Sequence, residues 1–165
     1  MSADSAEHDR PVYEWDVAAV GDDVPPHDVT VTPELIDLYV KGSGDENPIY
    51  MDEEFARSKG LSGRAAPASM AIRAAPTRRA VIMGRKGYAH PVRPTPFARW
   101  ECQMFAPIQP GDVITSTSRL ADKFEKRGRK FVVWEITAHN QRGEKVLVHR
   151  CTNMWEGAKP EDRER

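Results

Sequence analysis

The chain has 165 residues and a mass of 18.6 kDa, the size of one domain, which excludes most multidomain enzymes. Its hydrophobic fraction of 39%, charged fraction of 30% and net charge of -1 are typical of a globular protein. Two cysteines, Cys102 and Cys151, stand too far apart in the sequence to predict a disulfide framework or a cysteine zinc site.

The two ends of the chain differ from its middle. Residues 1–10 and 158–165 are charged and poor in large apolar side chains, so we predict disordered tails around one domain, residues 11–157. No apolar run approaches the roughly 20 residues that span a bilayer, and the N-terminus lacks the pattern of a secretory signal. We therefore expect a cytoplasmic protein that does not act at a membrane.

Turn residues divide the first third into short elements. Residues 11–19 and 27–32 are predicted as strands. Thr32 then caps a helix whose first position is Pro33 and which stops at Gly42 and Gly44. A second short helix is predicted between residues 52 and 59, with Asp52 as its cap.

An alanine-rich segment follows. Its composition predicts a helix over residues 65–75, which Pro76 interrupts because proline removes a backbone hydrogen bond and clashes with the preceding turn. A second helical segment is expected over residues 78–83. Residues 84–96 are rich in glycine and proline and are predicted as a long surface loop.

The last third alternates between apolar and polar residues, as half-buried strands do. Strands are predicted over residues 97–105, from the turn at 110–112 to Leu120, over 131–138 and over 146–155. Short connections favour an antiparallel meander of these four strands. Its apolar face needs a cover, and the alanine-rich helix is the available element, which gives an α+β domain.

The sequence Gly44-Asp45-Glu46-Asn47-Pro48-Ile49-Tyr50, followed by Phe55-Ala56-Arg57 and Gly60, resembles the hydratase motif of the MaoC-like dehydratase family, the (R)-specific enoyl-thioester hydratases. The resemblance extends over most of residues 15–155. It implies the hot-dog fold, an antiparallel sheet wrapped around a central helix, and a dimer with acyl tunnels at the subunit interface. This fold agrees with the α+β arrangement derived from the residue pattern.

The resemblance also implies roles for the motif residues. Asp45 matches the aspartate that holds the reacting water, Asn47 matches the asparagine beside it, and Tyr50 takes the position of the family's histidine. An imidazole exchanges protons near neutral pH, whereas an ordinary tyrosine has a pKa of about 10 and serves as a hydrogen-bond donor. From composition alone, Asp45 is instead an aspartate that bonds its own backbone in a glycine-rich turn.

The resemblance also implies an oxyanion site at the start of the central helix of the fold. Ala68 and Ser69 match that position, and their N–H groups are expected to stabilise the charge that develops on the thioester oxygen. Pro67 has no N–H to offer. His90, His139 and His149 are the histidines considered as spatial substitutes for the missing motif histidine.

Residues 55–100 contain no acidic residue but many basic ones. Such a block predicts either an anionic ligand or ordinary pairing with acids elsewhere in the fold. With the resemblance, the expected ligands are the phosphates of coenzyme A or an acidic acyl carrier protein. The candidate residues for this contact are Arg64, Arg78, Arg79, Arg85 and Arg93. The slightly acidic chain argues against a nucleic-acid partner.

Three functions follow from these observations. The first is a hydratase or dehydratase that acts on an enoyl or 3-hydroxyacyl thioester, with no metal and no cofactor beyond the coenzyme A or carrier-protein thioester itself. The second is a non-catalytic acyl-binding hot-dog subunit that pairs with a catalytic partner, because related non-catalytic halves carry the same tyrosine. The third is a hot-dog thioesterase.

Overall fold

The computed structural model of the chain describes residues 10–91 and 93–156, so nearly all of both predicted tails lies outside the described residues. Five strands form one antiparallel sheet in the order β1-β3-β4-β5-β2. They are β1 (Asp23–Thr30), β2 (Phe97–Met104), β3 (Val113–Lys126), β4 (Arg129–His139) and β5 (Lys145–Met154).

Four short α-helices connect or cover the strands: α1 (Pro33–Ser43), α2 (Glu53–Ser58), α3 (Ala71–Ala74) and α4 (Arg79–Arg85). Two 3-10 turns accompany them, at Pro48–Tyr50 and Ala68–Met70. We use "central helix" for the turn at Ala68–Met70 together with α3. Among the described residues, every helix is too short and too polar to traverse a lipid bilayer.

The predicted caps of the first two helices are confirmed. The Thr32 side chain accepts a hydrogen bond from the N–H of Leu35 at 3.2 Å, and Pro33 begins α1. Gly44 ends α1 in the left-handed conformation, with φ of 67°, which a side chain would disfavour. The Asp52 carboxylate caps α2 by accepting from the N–H of Phe55 at 2.9 Å.

The prediction of a strand over residues 11–19 is wrong. Val12 makes one isolated bridge to Ala89, and the chain then turns because the Glu14 carbonyl accepts the N–H groups of both Val17 and Ala18. β1 also begins and ends earlier than predicted. Its pairing with β3 shifts register between Val24 and His27, across the two prolines that cannot donate to the ladder.

The central helix is shorter than predicted at its N-terminal end. The N–H groups of Ala65 and Ala66 bond to the carbonyls of Ile49 and Ile108 instead of serving a helix. Pro67 stays extended, with ψ of 140°, so helical structure begins at Ala68. The break at Pro76 is confirmed. The restart begins at Arg79, one residue later than predicted, because Arg78 adopts φ of 50°.

The predicted meander holds for β3, β4 and β5 but is wrong for β2. β2 pairs with β5 at the far edge of the sheet, with Cys102 opposite His149. Its connection to β3 is too long for a tight hairpin, and Ile108 within it is buried. This connection is anchored to the segment before the central helix, where the Ile108 carbonyl accepts the N–H of Ala66 at 2.7 Å.

One face of the sheet holds the core and the other is charged. On β4 the predicted inner face is confirmed, since Val132, Trp134, Ile136 and Ala138 are fully buried. On the outer face Glu135 lies between Arg119 of β3 and Arg150 of β5 and receives hydrogen bonds from both. The sheet therefore curls with its apolar face around the central helix, as the α+β prediction requires.

Small side chains on the central helix should be essential to this packing. Ala74 is fully buried against the core, so Ala74→Leu inserts three carbon atoms where there is no room. We expect the free energy of unfolding to fall by about 1–3 kcal/mol, measured by urea denaturation. Ala80→Leu, on the exposed side of α4, should change it by less than about 0.5 kcal/mol. Equal effects of the two substitutions would contradict this packing.

Candidate active site

The motif loop, residues 44–50, is built by two side chains that bond their own backbone. Asp45 is half-buried, and its Oδ1 atom accepts the N–H of Asn47 at 3.2 Å. The Oδ1 atom of Asn47 in turn accepts the N–H of Ile49 at 3.1 Å and caps the 3-10 turn that ends at Tyr50. The turn role expected for Asp45 from composition is therefore present, and it occupies one carboxylate oxygen.

Tyr50 lies next to Asp45 and packs its ring against the core. Burial raises the pKa of the Tyr50 phenol, and the negative charge of Asp45 raises that pKa further. The phenol consequently stays protonated well above neutral pH. It is a hydrogen-bond donor at this position and cannot exchange protons as an imidazole would.

The start of the central helix supplies unpaired N–H groups. Ala68 and Ser69 are exposed, and within the described part of the chain neither N–H has an acceptor. The first bonded amide is that of Met70, which donates to the Pro67 carbonyl at 2.9 Å. Two free amides at a helix start can bind a partial negative charge, as the predicted oxyanion site requires.

Arg64 connects the motif loop to the segment before the central helix. Its Nε atom donates to the Tyr50 carbonyl at 2.8 Å, and its guanidinium also pairs with Asp37 of α1. Next to it, the Ala65 N–H donates to the Ile49 carbonyl at 3.3 Å. With 17% of its side chain exposed, Arg64 acts here as a positioning residue for Tyr50, and its predicted contact with a phosphate stays a prediction.

The other predicted arginines lie beyond the central helix. Arg85 is exposed and 4.0 Å from Asp23, Arg78 precedes α4, and Arg79 and Arg93 line a separate cavity. Several cations of the acid-free segment pair with carboxylates outside it, as ordinary pairing predicts: Arg57 with Glu53, Lys86 with Asp22, and Arg99 with Glu101.

His149 is buried at the opposite end of the central helix from Ala68. Its Nε2 atom lies 2.8 Å from the Ala75 carbonyl, and its Nδ1 atom lies 3.3 Å from Nε1 of Trp100. Burial lowers the pKa of this imidazole. Because the indole N–H of Trp100 donates to Nδ1, the two contacts fit the neutral tautomer with the proton on Nε2. Both ring nitrogens are thus engaged in holding the fold.

Sequence reasoning missed a groove beside the motif loop. It has a volume of about 440 Å³ and is mainly apolar, and it lies between α1 and the central helix. Leu38, 69% exposed, is its most prominent apolar residue. An apolar side chain at an outward position of α1 is the signal that would have indicated it. The lining residues are Leu35, Leu38, Tyr39, Gly42, Ser43 and Arg73.

The antiparallel sheet wraps around a short alanine-rich helix, and the Gly-Asp-x-Asn-Pro loop is held against the start of that helix. This arrangement is the hot-dog fold, which is also the fold of solved MaoC-like dehydratase structures. The family model described as "FAS1-like, dehydratase domain region" matches residues 18–149. The chain belongs to this family of dehydratase domains, whose members are hydratases and dehydratases.

Individual relatives agree with this assignment. A "Probable enoyl-CoA hydratase alpha subunit" from Thermomonospora curvata is 32% identical over 123 residues, which is 74% of this chain but only 35% of the relative's own length. The MaoC-like dehydratase structure from Rhodospirillum rubrum has a TM-score of 0.68 at 22% identity, and it covers 88% of this chain and 98% of its own.

A second similar structure comes from a complex. The HadBC (3R-hydroxyacyl-ACP dehydratase) complex from Mycobacterium tuberculosis contains a chain that matches with a TM-score of 0.65 at 18% identity, covering 82% of this chain and 94% of that one. Hot-dog domains similar to this one therefore occur in heteromeric assemblies.

The proximity of Asp45 and Tyr50 can be measured by titration. The absorbance difference between the wild-type protein and Tyr50→Phe isolates the Tyr50 phenol, whose pKa should lie above its ordinary value. Asp45→Asn removes the nearby negative charge and should lower that pKa, while burial keeps it raised. Glu46→Gln, an equivalent change at the exposed neighbour, should leave it unchanged. A Tyr50 pKa that is insensitive to Asp45→Asn would disprove the proximity.

Proposed function

We propose that this chain adds water to, or removes it from, an acyl thioester carried by coenzyme A or an acyl carrier protein. The observation that carries the proposal is the placement of Asp45 and Tyr50 in a loop hydrogen-bonded to the segment that leads into the free amides of Ala68 and Ser69. The carboxylate and the phenol can act on the reacting water. The two N–H donors can hold the negative charge that develops on the thioester oxygen.

In hydration, the second carboxylate oxygen of Asp45 takes a proton from water as the water oxygen bonds to Cβ of the enoyl group. The Cα–Cβ electron pair moves toward the thioester carbonyl, whose oxygen becomes an enolate held by the N–H groups of Ala68 and Ser69. The protonated Asp45 then gives this proton to Cα, so the enolate collapses to the 3-hydroxyacyl thioester and the carboxylate is restored. Tyr50 donates a hydrogen bond to the water and orients it. Dehydration follows the same path in reverse.

Asn47 and Arg64 act as positioning residues in this proposal. Asn47 fixes the 3-10 turn that presents Tyr50, and Arg64 holds the Tyr50 carbonyl. The apolar groove beside the loop, lined by Leu35 and Leu38, offers a surface for the acyl chain.

A second function has specific support. Because the Tyr50 phenol has a raised pKa, it cannot take or release a proton near neutral pH as a histidine does. The chain would then be the acyl-binding subunit of an assembly in which another hot-dog domain supplies the histidine. The matched relative is named an alpha subunit, and β2 is an open edge strand with Phe97 59% exposed and Trp100 36% exposed, which suits pairing with a second domain.

The two functions give different results in one assay, the hydration of a trans-2-enoyl-CoA followed by loss of absorbance. If the chain is catalytic alone, Asp45→Asn should lower kcat by about 10²–10⁴-fold because the general base is lost. The matched control Glu46→Gln should retain activity. Tyr50→Phe should reduce kcat less than Asp45→Asn, because it removes a hydrogen bond and no proton transfer.

If the chain is a binding subunit, it should be inactive alone and become active when mixed with a partner that carries the Asp-x-Asn-Pro-x-His motif. Asp45→Asn would then leave the activity of the mixture unchanged. Release of free coenzyme A from a saturated acyl-CoA would contradict both functions and indicate a thioesterase.

A further inference from the structure

The groove between α1 and the central helix is apolar along one wall and carries a single charge on the other. On α1 its lining residues are three or four positions apart, the spacing of one helical face: Leu35, Leu38, Tyr39 and Gly42. On the central helix its charged residue is Arg73. No aspartate or glutamate is among the residues that line the groove in the described part of the chain. A ligand in the groove therefore meets an apolar surface and one positive charge.

The charge of Arg73 has no protein partner. The residue is exposed, and within the described part of the chain its side chain makes no ion pair and no hydrogen bond. Arg57 and Arg64, from the same acid-free segment, pair instead with Glu53 and Asp37. The guanidinium of Arg73 is therefore available to an anion from outside the chain. It can bind a carboxylate through two parallel hydrogen bonds.

Tyr39 supplies a second polar group from the opposite wall. Its ring is partly buried against the core, and among the described residues its hydroxyl has no hydrogen-bond partner. The hydroxyl of Ser43, by contrast, donates to the Val40 carbonyl at 3.1 Å. A guanidinium and a phenol on facing walls are two hydrogen-bond donors, which suits a carboxylate because its oxygens only accept.

The groove adjoins the proposed reaction site on both walls. Gly42 and Ser43 line it, and Asp45 follows Ser43 by two positions. On the other wall Arg73 follows Ser69 by four residues, about one helical turn and about 6 Å along the axis. Side chains lean toward the N-terminus of a helix, so Arg73 leans back toward the free amides. A thioester whose carbonyl binds those amides can therefore lay a short acyl chain along the groove, with its far end at Arg73.

We propose that this groove selects an acyl thioester whose chain ends in a free carboxylate, with Arg73 as the specificity-determining residue and Tyr39 as a second donor. The substrate class is the half-thioester of a short dicarboxylic acid. This assignment rests on the proposed function, because it takes the groove as the place of the acyl chain. Arg73 is not one of the five arginines predicted to contact a phosphate, and its role here does not involve the carrier of the thioester.

Isothermal titration of the full chain with two saturated thioesters, adipyl-CoA and hexanoyl-CoA, tests the proposal. The two ligands share the carrier and the number of acyl carbon atoms, so the ratio of their affinities reports the terminal carboxylate. The wild-type chain should bind adipyl-CoA about five- to tenfold more tightly, as expected for a charge-assisted hydrogen-bonded pair. Arg73→Gln should bring the ratio to about one by weakening only adipyl-CoA.

The matched control is Arg85→Gln, which changes an exposed arginine of α4 outside the groove and should leave the ratio at its wild-type value. Arg73→Lys keeps the charge but loses the planar guanidinium, so its ratio should lie between those of the wild-type chain and Arg73→Gln. Tyr39→Phe should lower the ratio less than Arg73→Gln does. Because Arg73 is exposed and unpaired, its variants should melt at the wild-type temperature.

Gly42 allows the groove itself to be blocked. A Cβ atom at this helical position would meet no atom within 4 Å, and the backbone there does not have a positive φ, so Gly42→Leu should fold and fill the groove. Adipyl-CoA and hexanoyl-CoA should then both bind about fivefold more weakly or worse, because their acyl chains lose the apolar surface. Acetyl-CoA, which has no chain to place there, should bind as it does to the wild-type chain.

Equal affinities of the wild-type chain for adipyl-CoA and hexanoyl-CoA would overturn the proposal, as would a preference that Arg73→Gln leaves intact. Equal weakening of both thioesters by Arg73→Gln would assign the guanidinium to the carrier and would also overturn it. Hydration of trans-2-hexenedioyl-CoA and trans-2-hexenoyl-CoA separates this proposal from the catalytic one. An inactive chain that prefers adipyl-CoA through Arg73 refutes catalysis and supports the substrate class, whereas equal kcat/KM for the two enoyl thioesters does the reverse.

Discussion

The close approach of the sheet to the central helix is the constraint on which the other features depend. Ala71, Ala74 and Ala75 are fully buried in the core that also holds Met70, Trp134 and Ile136, so at these positions the helix contributes only methyl groups to the packing. Such contact leaves no space for water, and each polar backbone group at the helix ends therefore needs a protein partner or an opening to solvent. The two ends of the helix differ in this respect. The polar groups at one end are paired with protein side chains, and those at the other end are open to solvent.

At the C-terminal end the free carbonyls are satisfied by buried polar side chains of the sheet. Pro76 ends the helix, and the Ala75 carbonyl accepts from His149 at 2.8 Å while the Thr77 carbonyl accepts from the hydroxyl of Ser118 at 2.5 Å. This accounts for His149 and Ser118 among the buried polar residues of the sheet. At the N-terminal end the amides of Ala68 and Ser69 open to the surface beside the motif loop, so the same helix leaves two donors available to a ligand.

Local patterns in the sequence were sufficient to predict features that local physics determines. The cap at Thr32, the break at Pro76 and the alternation of β4 depend on residues within a few positions of one another. Features set by distant partners were not predictable. Ala65 and Ala66 favour a helix, yet their amides bond to Ile49 and Ile108. β2 likewise pairs with β5, a strand distant from it in the sequence, and not with β3, the next strand along the chain. The motif located Asp45 and Tyr50, but the role of Arg64 required knowing that Asp37 lies within reach.

The turn role of Asp45 and its proposed role with water are compatible, because a carboxylate has two oxygens. One oxygen accepts the N–H of Asn47 and fixes the plane of the group, while within the described residues the second oxygen has no donor. A carboxylate fixed in this way loses less entropy when it takes a proton from a bound water than one that rotates freely. Tyr50 changes the proton chemistry without disturbing this arrangement, since its backbone is held by Asn47 and Arg64 and its hydroxyl remains a donor. The same loop can therefore serve a catalytic domain or, beside a partner that carries a histidine, a domain that only binds and orients the thioester.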